Sequence, residues 1–289
     1  MPARPQQTPI HVDLYHLSYA AHSERIYREV RQESYGVDLG QTGWMTEQEL
    51  RSFFELLNLS AFSRVLEIGC GAGRCALYLA RTLGARVTGI DINAAGIHNA
   101  RELAHSAGLS SRADFLCSDA SEKLPFEDNS VDAVFSNDAM CHIPHRLETL
   151  REWYRVLRPG GRMLFTDAMI VTGILSDAEI ATRSCIGSYW FLPAGENERL
   201  IERARLQLLS TVNLTASASE ISRRWLDARA RRKPELLPLE GEESYSGMQQ
   251  FLSCVHTLSH EGVCRAFFIS PPSPLTRESA GVSGIIRTC

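Results

Sequence analysis

The sequence predicts a doubly wound α/β domain built on a mostly parallel sheet. Three observations carry that expectation. Short apolar runs alternate with amphipathic segments of helix length between residues 62 and 167. The connections joining those runs are long enough for crossovers, which parallel neighbours require. The first run ends in a glycine-rich turn that opens a helix, as at the carboxyl edge of such sheets.

Residues 1–60 read as helical and mixed, with Tyr15, Tyr19, Tyr27, Tyr35 and Trp44 set among charges. Thr46 followed by Glu49 forms a capping box that opens a helix over 50–57. An apolar strand over 64–68 stops at glycine, and a helix over 76–83 ends at Gly84. A second strand covers 86–90, and its helix, 94–107, closes at Gly108. Strands follow at 113–117 and 130–136. The helix over 146–157 is stopped by Arg158-Pro159-Gly160-Gly161, and a fifth strand spans 162–167. The pattern resumes with a helix over 196–205, a strand over 206–214, a helix over 248–260 and a strand over 263–270. Residues 170–194 and 216–246 have no sheet role. The expected organisation is an N-terminal helical lid segment, 1–60, then a domain over 61–289 carrying those two stretches as lid insertions. The tail from Pro271 is rich in Pro and Ser and reads as loosely ordered.

Composition narrows the function classes. Lys and Arg number 30 against 34 Asp and Glu, a net charge of −4, which argues against a nucleic-acid partner. The apolar runs stay far below the roughly 20 residues that cross a bilayer. The polar first residues lack the apolar core of a secretory signal, so no membrane association and a cytoplasmic location are expected. The eight cysteines contain no CxxC pair and fit free thiols.

The chemistry gathers in Glu67-Ile68-Gly69-Cys70-Gly71-Ala72-Gly73-Arg74. Glycines let the backbone turn left-handed and let a ligand approach closely, and the helix start offers free N–H groups. A dinucleotide turn wants a third small residue one position later, where Arg74 stands. Glu67 would repel a pyrophosphate and suits a cationic ammonium or sulfonium. The turn therefore favours S-adenosylmethionine. Asp91 ends the second strand, followed by Ile92, where a carboxylate can accept two ribose hydroxyls; its plainer reading is a cap for the helix from Asn93. Asp119, with Ala120 after it, can receive an adenine amine or act as another cap.

These residues, with Leu157-Arg158-Pro159-Gly160-Gly161, resemble the class I S-adenosylmethionine-dependent methyltransferases, specifically the small-molecule branch of sarcosine/dimethylglycine and natural-product enzymes. Further supporting segments are 39–44, 125–134 and Cys141-His142-Ile143-Pro144. The resemblance implies a seven-stranded Rossmann-like sheet with an antiparallel last strand. It implies that Gly69, Gly71 and Gly73 wrap the methionine part, Asp91 holds the ribose, Asp119 the adenine amine, and Asn137 lies beside the cofactor, with Ile92 and Ala120 flanking. Trp44 closes over the methionine end or is a core aromatic. Tyr15, Tyr19, His22, Tyr189 and Trp190 are expected in the substrate lid. His142, at the rim, is the candidate general base; a capping or packing histidine is its alternative. Residues 262–268 depart from the family's usual pattern.

The acceptor is expected to be a small molecule methylated on nitrogen, oxygen or carbon. The Asn/Asp-Pro-Pro-aromatic clamp of base and amide methylation is missing after the fourth strand. The basic run from Arg223 to Lys233 reads as a solvated face. His256 and His260 lack a third ligand, so no metal is expected. A cofactor-bound cyclase or noncatalytic scaffold is the main alternative. Cys70, Cys75, Cys117 and Cys141 leave arsenic or thiol methylation as a minor one.

Overall fold

The computed structural model describes residues 24–185 and 187–260, with the backbone of a strand at 265–270. Tyr15, Tyr19 and His22 lie outside the described residues.

Helix α1 (Arg25–Tyr35) precedes α2 (Glu47–Leu56), whose Thr46 cap and Glu49 satisfy each other's N–H groups as the capping box requires. The alternating region then runs β1 (Arg64–Ile68), α3 (Arg74–Leu83), β2 (Arg86–Asp91), α4 (Ala94–Ser106), β3 (Ala113–Cys117), β4 (Val131–Ser136), α5 (Arg146–Val156) and β5 (Leu157–Asp167). β5 begins five residues earlier than the sequence suggests. Arg158-Pro159-Gly160-Gly161 pairs irregularly into the strand, with a register shift opposite Val131 and Ala133. After β6 (Ile170–Val171), α6 (Asp177–Arg183) and β7 (Leu192–Pro193) come α7 (Glu196–Arg203) and β8 (Gln207–Asn213). Two helices, α8 (Thr215–Arg231) and α9 (Lys233–His260), lead to β9 (Arg265–Ser270). α9 is broken at Gly241, shortly after Pro238 removes an N–H from the ladder.

The sheet runs β3-β2-β1-β4-β5-β9-β8. Its first five strands are mutually parallel, and β9 is antiparallel to β5 and to β8. Alternation along the strands supplies two cores. Val65, Val87, Phe115 and Phe135 face α3, α4 and α2, whose Leu50, Phe53 and Phe54 join that core. Leu66, Ile68, Val134 and Phe165 face α5 and α7 through Trp153, Leu150 and Ile201. α2, grouped with the lid by sequence, thus packs under the sheet.

The stretch 216–246, expected to be part of a helical lid, is helical. α8 and α9 pack on each other and on α1, burying Val30, Tyr35, Ile221, Trp225, Phe251 and Leu252 in a third core. Trp44 is buried in the same core. A buried polar knot joins the cap side to the sheet: Arg146 of α5 pairs with Asp167 at the end of β5, and Asn197 of α7 bonds both. Each charge is matched inside the protein, without which burial would be costly.

The turn glycines are fixed by space as much as by angle. Gly73 has φ +71°, and a Cβ there would sit 2.5 Å from the Phe115 ring and 2.8 Å from Ala100. Gly108 has φ +67° with open surroundings. Gly73→Ala should therefore cost about 2–4 kcal/mol in denaturant unfolding, strain plus overpacking. Gly108→Ala should cost only about 1 kcal/mol. Equal losses would mean that packing at Gly73 contributes nothing.

Candidate functional site

Beyond the carboxyl ends of β1, β2 and β4 lies a cavity of about 590 Å³. Its floor is the turn after β1, where Gly69, Gly71 and Gly73 have φ of +68°, +53° and +71°. The N–H groups of Gly69 and Cys70 both donate to the Ile90 carbonyl, at 2.9 and 3.0 Å, tying the turn to β2. A Cβ on Gly69 would collide with Ala139, so the turn lies hard against the β4 exit.

Glu67 lines this cavity, yet is only 3% exposed. Its Oε2 is buried without a hydrogen-bond partner among the described residues. Burial pushes its pKa up to about 8; the Ala76 N–H opposes the shift and the charge of Asp91 adds to it. The cavity wall thus holds a carboxyl that a cation would convert to its charged form.

Asp91 projects from the end of β2 into the same cavity. Its Oδ2 accepts the Gly71 N–H and its Oδ1 the Asn93 N–H, each at 2.8 Å. The cap of α4 is Asn93, whose Oδ1 accepts from Gly96 at 3.0 Å, so Asp91 is not that cap. Burial raises the Asp91 pKa, against the two backbone donors. Asp119 is exposed on the rim and accepts the N–H and hydroxyl of Ser121 at 2.8 and 2.7 Å. It is both a turn-former and a wall residue. Ile92, 71% exposed, and Ala120 flank it along the cavity, with Asn137 on the β4 side.

His142 closes a short 3-10 turn, Met140–His142, and also lines the cavity. Its Nδ1 lies 2.8 Å from the Ser188 carbonyl oxygen. A carbonyl can only accept, so Nδ1 carries the proton, and the neutral ring keeps its lone pair on Nε2. Burial lowers the His142 pKa; the Ser188 carbonyl raises it and Arg183 lowers it again. The Tyr189 ring packs 4.4 Å from the imidazole.

Other expected residues are elsewhere. The Trp44 ring is 6% exposed and sits among Trp225, Phe251 and Arg183 in the cap core, while residues 40–43 line the cavity in its place. It is the core aromatic of the two readings. Trp190 is half exposed and contributes main chain: its N–H donates to the Cys141 carbonyl and its own carbonyl accepts from Arg146. Gly187 and Ser188 form that wall. The basic run is neutralised by acids: Arg229 pairs with Glu240 in the cap interior, Arg223 and Arg224 with Glu220, and Arg231 and Arg232 with Glu33. Sequence reasoning missed Asp138, also in the wall, whose φ of +53° is rare outside Gly, Asn and Asp.

A family profile described as a methyltransferase domain matches residues 66–165. Methyltransferase GfsG of Streptomyces halstedii is 37% identical over 205 residues, 69% of each chain. The 27-O-demethylrifamycin SV methyltransferase of Amycolatopsis mediterranei is 39% identical over 127 residues, covering 43% of this chain and 46% of that protein. Among solved structures, Haemonchus contortus phosphoethanolamine N-methyltransferase 2 in complex with S-adenosyl-L-methionine has a TM-score of 0.74 at 22% identity. That match covers 89% of this chain and 59% of the other, and it shows a shared fold.

The buried Glu67 carboxyl makes a pH signature. Its folded pKa lies above its ordinary 4.5, so the folded protein binds the extra proton. That term costs nothing below about pH 4.5, and stability falls as pH rises toward 8. Glu67→Gln should raise the melting temperature of the unliganded protein by several degrees at pH 8 and hardly change it at pH 4.5. A pH-independent difference would remove the buried acid from the account.

Proposed function

The chain belongs to the class I S-adenosylmethionine-dependent methyltransferase family, and from that premise we propose that it methylates nitrogen, oxygen or carbon of a small molecule. The observation that carries the reading is the orphaned Oε2 of Glu67 in the wall of a cavity floored by a glycine turn. A buried carboxyl beside Cβ-free backbone suits a ligand that brings an ammonium close to main chain.

S-adenosylmethionine supplies an activated methyl group on a sulfonium. We assign its ammonium to Glu67 and its methionine part to Gly69, Gly71 and Gly73. Asp91 would accept the ribose hydroxyls while keeping its hold on the turn. Ile92 and Ala120 would flank the adenine, with Asp119 at its amine and Asn137 beside the cofactor. His142, neutral with its basic nitrogen at Nε2, is placed to take a proton from an acceptor hydroxyl or ammonium. The chain's remaining task is alignment and exclusion of water, with proximity worth roughly 7–11 kcal/mol.

Cys70, Cys75 and Cys141 are buried, or nearly so, and burial pushes each thiol up, so they favour the neutral form over a thiolate that would bind arsenic. Among the described residues no helix is long and apolar enough to cross a membrane. Free thiols at the described cysteines support the cytoplasmic reading.

Incubation with labelled S-adenosylmethionine and a metabolite extract should yield S-adenosylhomocysteine; tight binding without turnover would leave a scaffold or cyclase instead. Calorimetry in buffers of different ionisation heat should show release of about one proton on cofactor binding at pH 7, absent in Glu67→Gln. Once an acceptor is found, His142→Ala should lose roughly 10²–10⁴-fold in kcat with cofactor affinity retained. The loss should shrink at high pH, where the acceptor deprotonates unaided. Normal turnover would exclude His142 as the base.

A further inference from the structure

The chain leaves β4 through Asn137 and Asp138, and Asp138 stands in the left-handed region at φ +53°. A residue with a Cβ holds that conformation only where its surroundings fix it. Here they do. The Asp138 N–H donates to Thr166 Oγ1 at 2.7 Å, and the Thr166 hydroxyl returns its proton to Asp138 Oδ1 at 2.7 Å. Asn137 Oδ1, at 3.1 Å, is the longer alternative for that single proton. With Oδ1 committed to β5, Oδ2 reaches the cap and accepts the Trp44 N–H at 2.7 Å.

Gly43 makes that reach possible. A Cβ there would stand 2.5 Å from Asp138 Oδ2 and 2.9 Å from Asn137 Nδ2. From the other side, the Tyr35 hydroxyl of α1 donates to the Gly43 carbonyl at 2.9 Å. The segment 40–44 is therefore held between a cap helix and a single carboxylate of the sheet domain. Residues 40–43 form cavity wall, and Asp138 forms the wall they meet. Both Asp138 oxygens are engaged in positioning.

Resting on the reading of this cavity as the S-adenosylmethionine site, we infer that Asp138 is a positioning residue that latches segment 40–44 across the bound cofactor. Opening the cavity then requires parting the Trp44 N–H from the Asp138 carboxylate. Cofactor release is limited by that step, and the strained backbone at Asp138 keeps its carboxylate aimed at the cap.

The test is the dissociation rate of S-adenosylhomocysteine, followed by stopped-flow tryptophan fluorescence. In Asp138→Gly the left-handed backbone is kept and the carboxylate is removed, so the Trp44 N–H loses its acceptor. Dissociation should quicken by about ten- to a hundredfold, the scale of a charged hydrogen bond. Gly43→Ala should quicken it similarly by forcing the segment away. The double variant should be no faster than the faster single one, because both break the same contact. Gly108→Ala, strained but remote from the cavity, should release the ligand at the wild-type rate; acceleration there would make the effect one of general stability and overturn the latch. Wild-type rates in both Asp138→Gly and Gly43→Ala would also overturn it. Failure of the wild-type protein to bind S-adenosylhomocysteine would instead overturn the reading of the cavity.

Discussion

The parallel pairing of β1 with β4 is the contact on which the rest of the molecule depends. Glu67 lies opposite Phe135 and Ile68 opposite Ser136. From β1 the chain crosses to β2 and β3 on one side; from β4 it crosses to β5 on the other. The two exit loops diverge from adjacent strand ends, leaving a crevice at the point where strand order reverses. Everything assigned to the site stands on that crevice. The β1 loop must pass under the β4 loop, which explains why Gly69 meets Ala139 with no space for a side chain. The β2 exit adds Asp91, whose two carboxylate oxygens tie the glycine turn and the start of α4 together.

A crevice formed by backbone geometry is not yet selective. The selectivity proposed rests on Glu67 inside β1, a wall residue of the cavity whose Oε2 is buried without a hydrogen-bond partner among the described residues. Such a group destabilises the empty protein at neutral pH and favours a cation once one arrives. On the proposed assignment, the same burial that costs folding free energy would sharpen binding, and stability and affinity would be opposed at this residue.

Much of the sheet was legible because its signals are local. β1 and β3 fall where short apolar runs end at turn residues, and the Thr46 capping box is a four-residue pattern with one geometric solution. The glycine turn and Asp91 were legible for the same reason. The cap was not. α8 mixes Arg, Glu and Ser on a weakly amphipathic face, and its basic residues meet Glu29, Glu33 and Glu240, acids distant in sequence or across a turn. Pro238 and Gly241 produce a break, but only as a kink within helical structure. Trp44 carried two readings, a lid over the methionine end and a core aromatic, and its neighbours 40–43 do face the cavity. The chain turns at Gly43, and the ring goes to Trp225 and Phe251 instead. Asp138 carries its inferred role in a backbone angle that Asp tolerates but does not announce.

The cap contacts converge on one short stretch of the sheet domain. Segment 40–44 is received by Asp138. Segment 187–190 is received by His142 through Ser188, by Cys141 through the Trp190 N–H, and by Arg146 through the Trp190 carbonyl. Residues 138–146 thus anchor both cap segments while carrying the candidate base. The anchoring also sets the chemistry, since the Ser188 carbonyl that fixes the imidazole is the group that assigns its proton to Nδ1. If segment 187–190 moved away, His142 would lose that partner and its tautomer with it. On the proposed assignment, the orientation of Nε2 would then depend on segment 187–190, and the candidate base sits on the same residues that receive the cap segments.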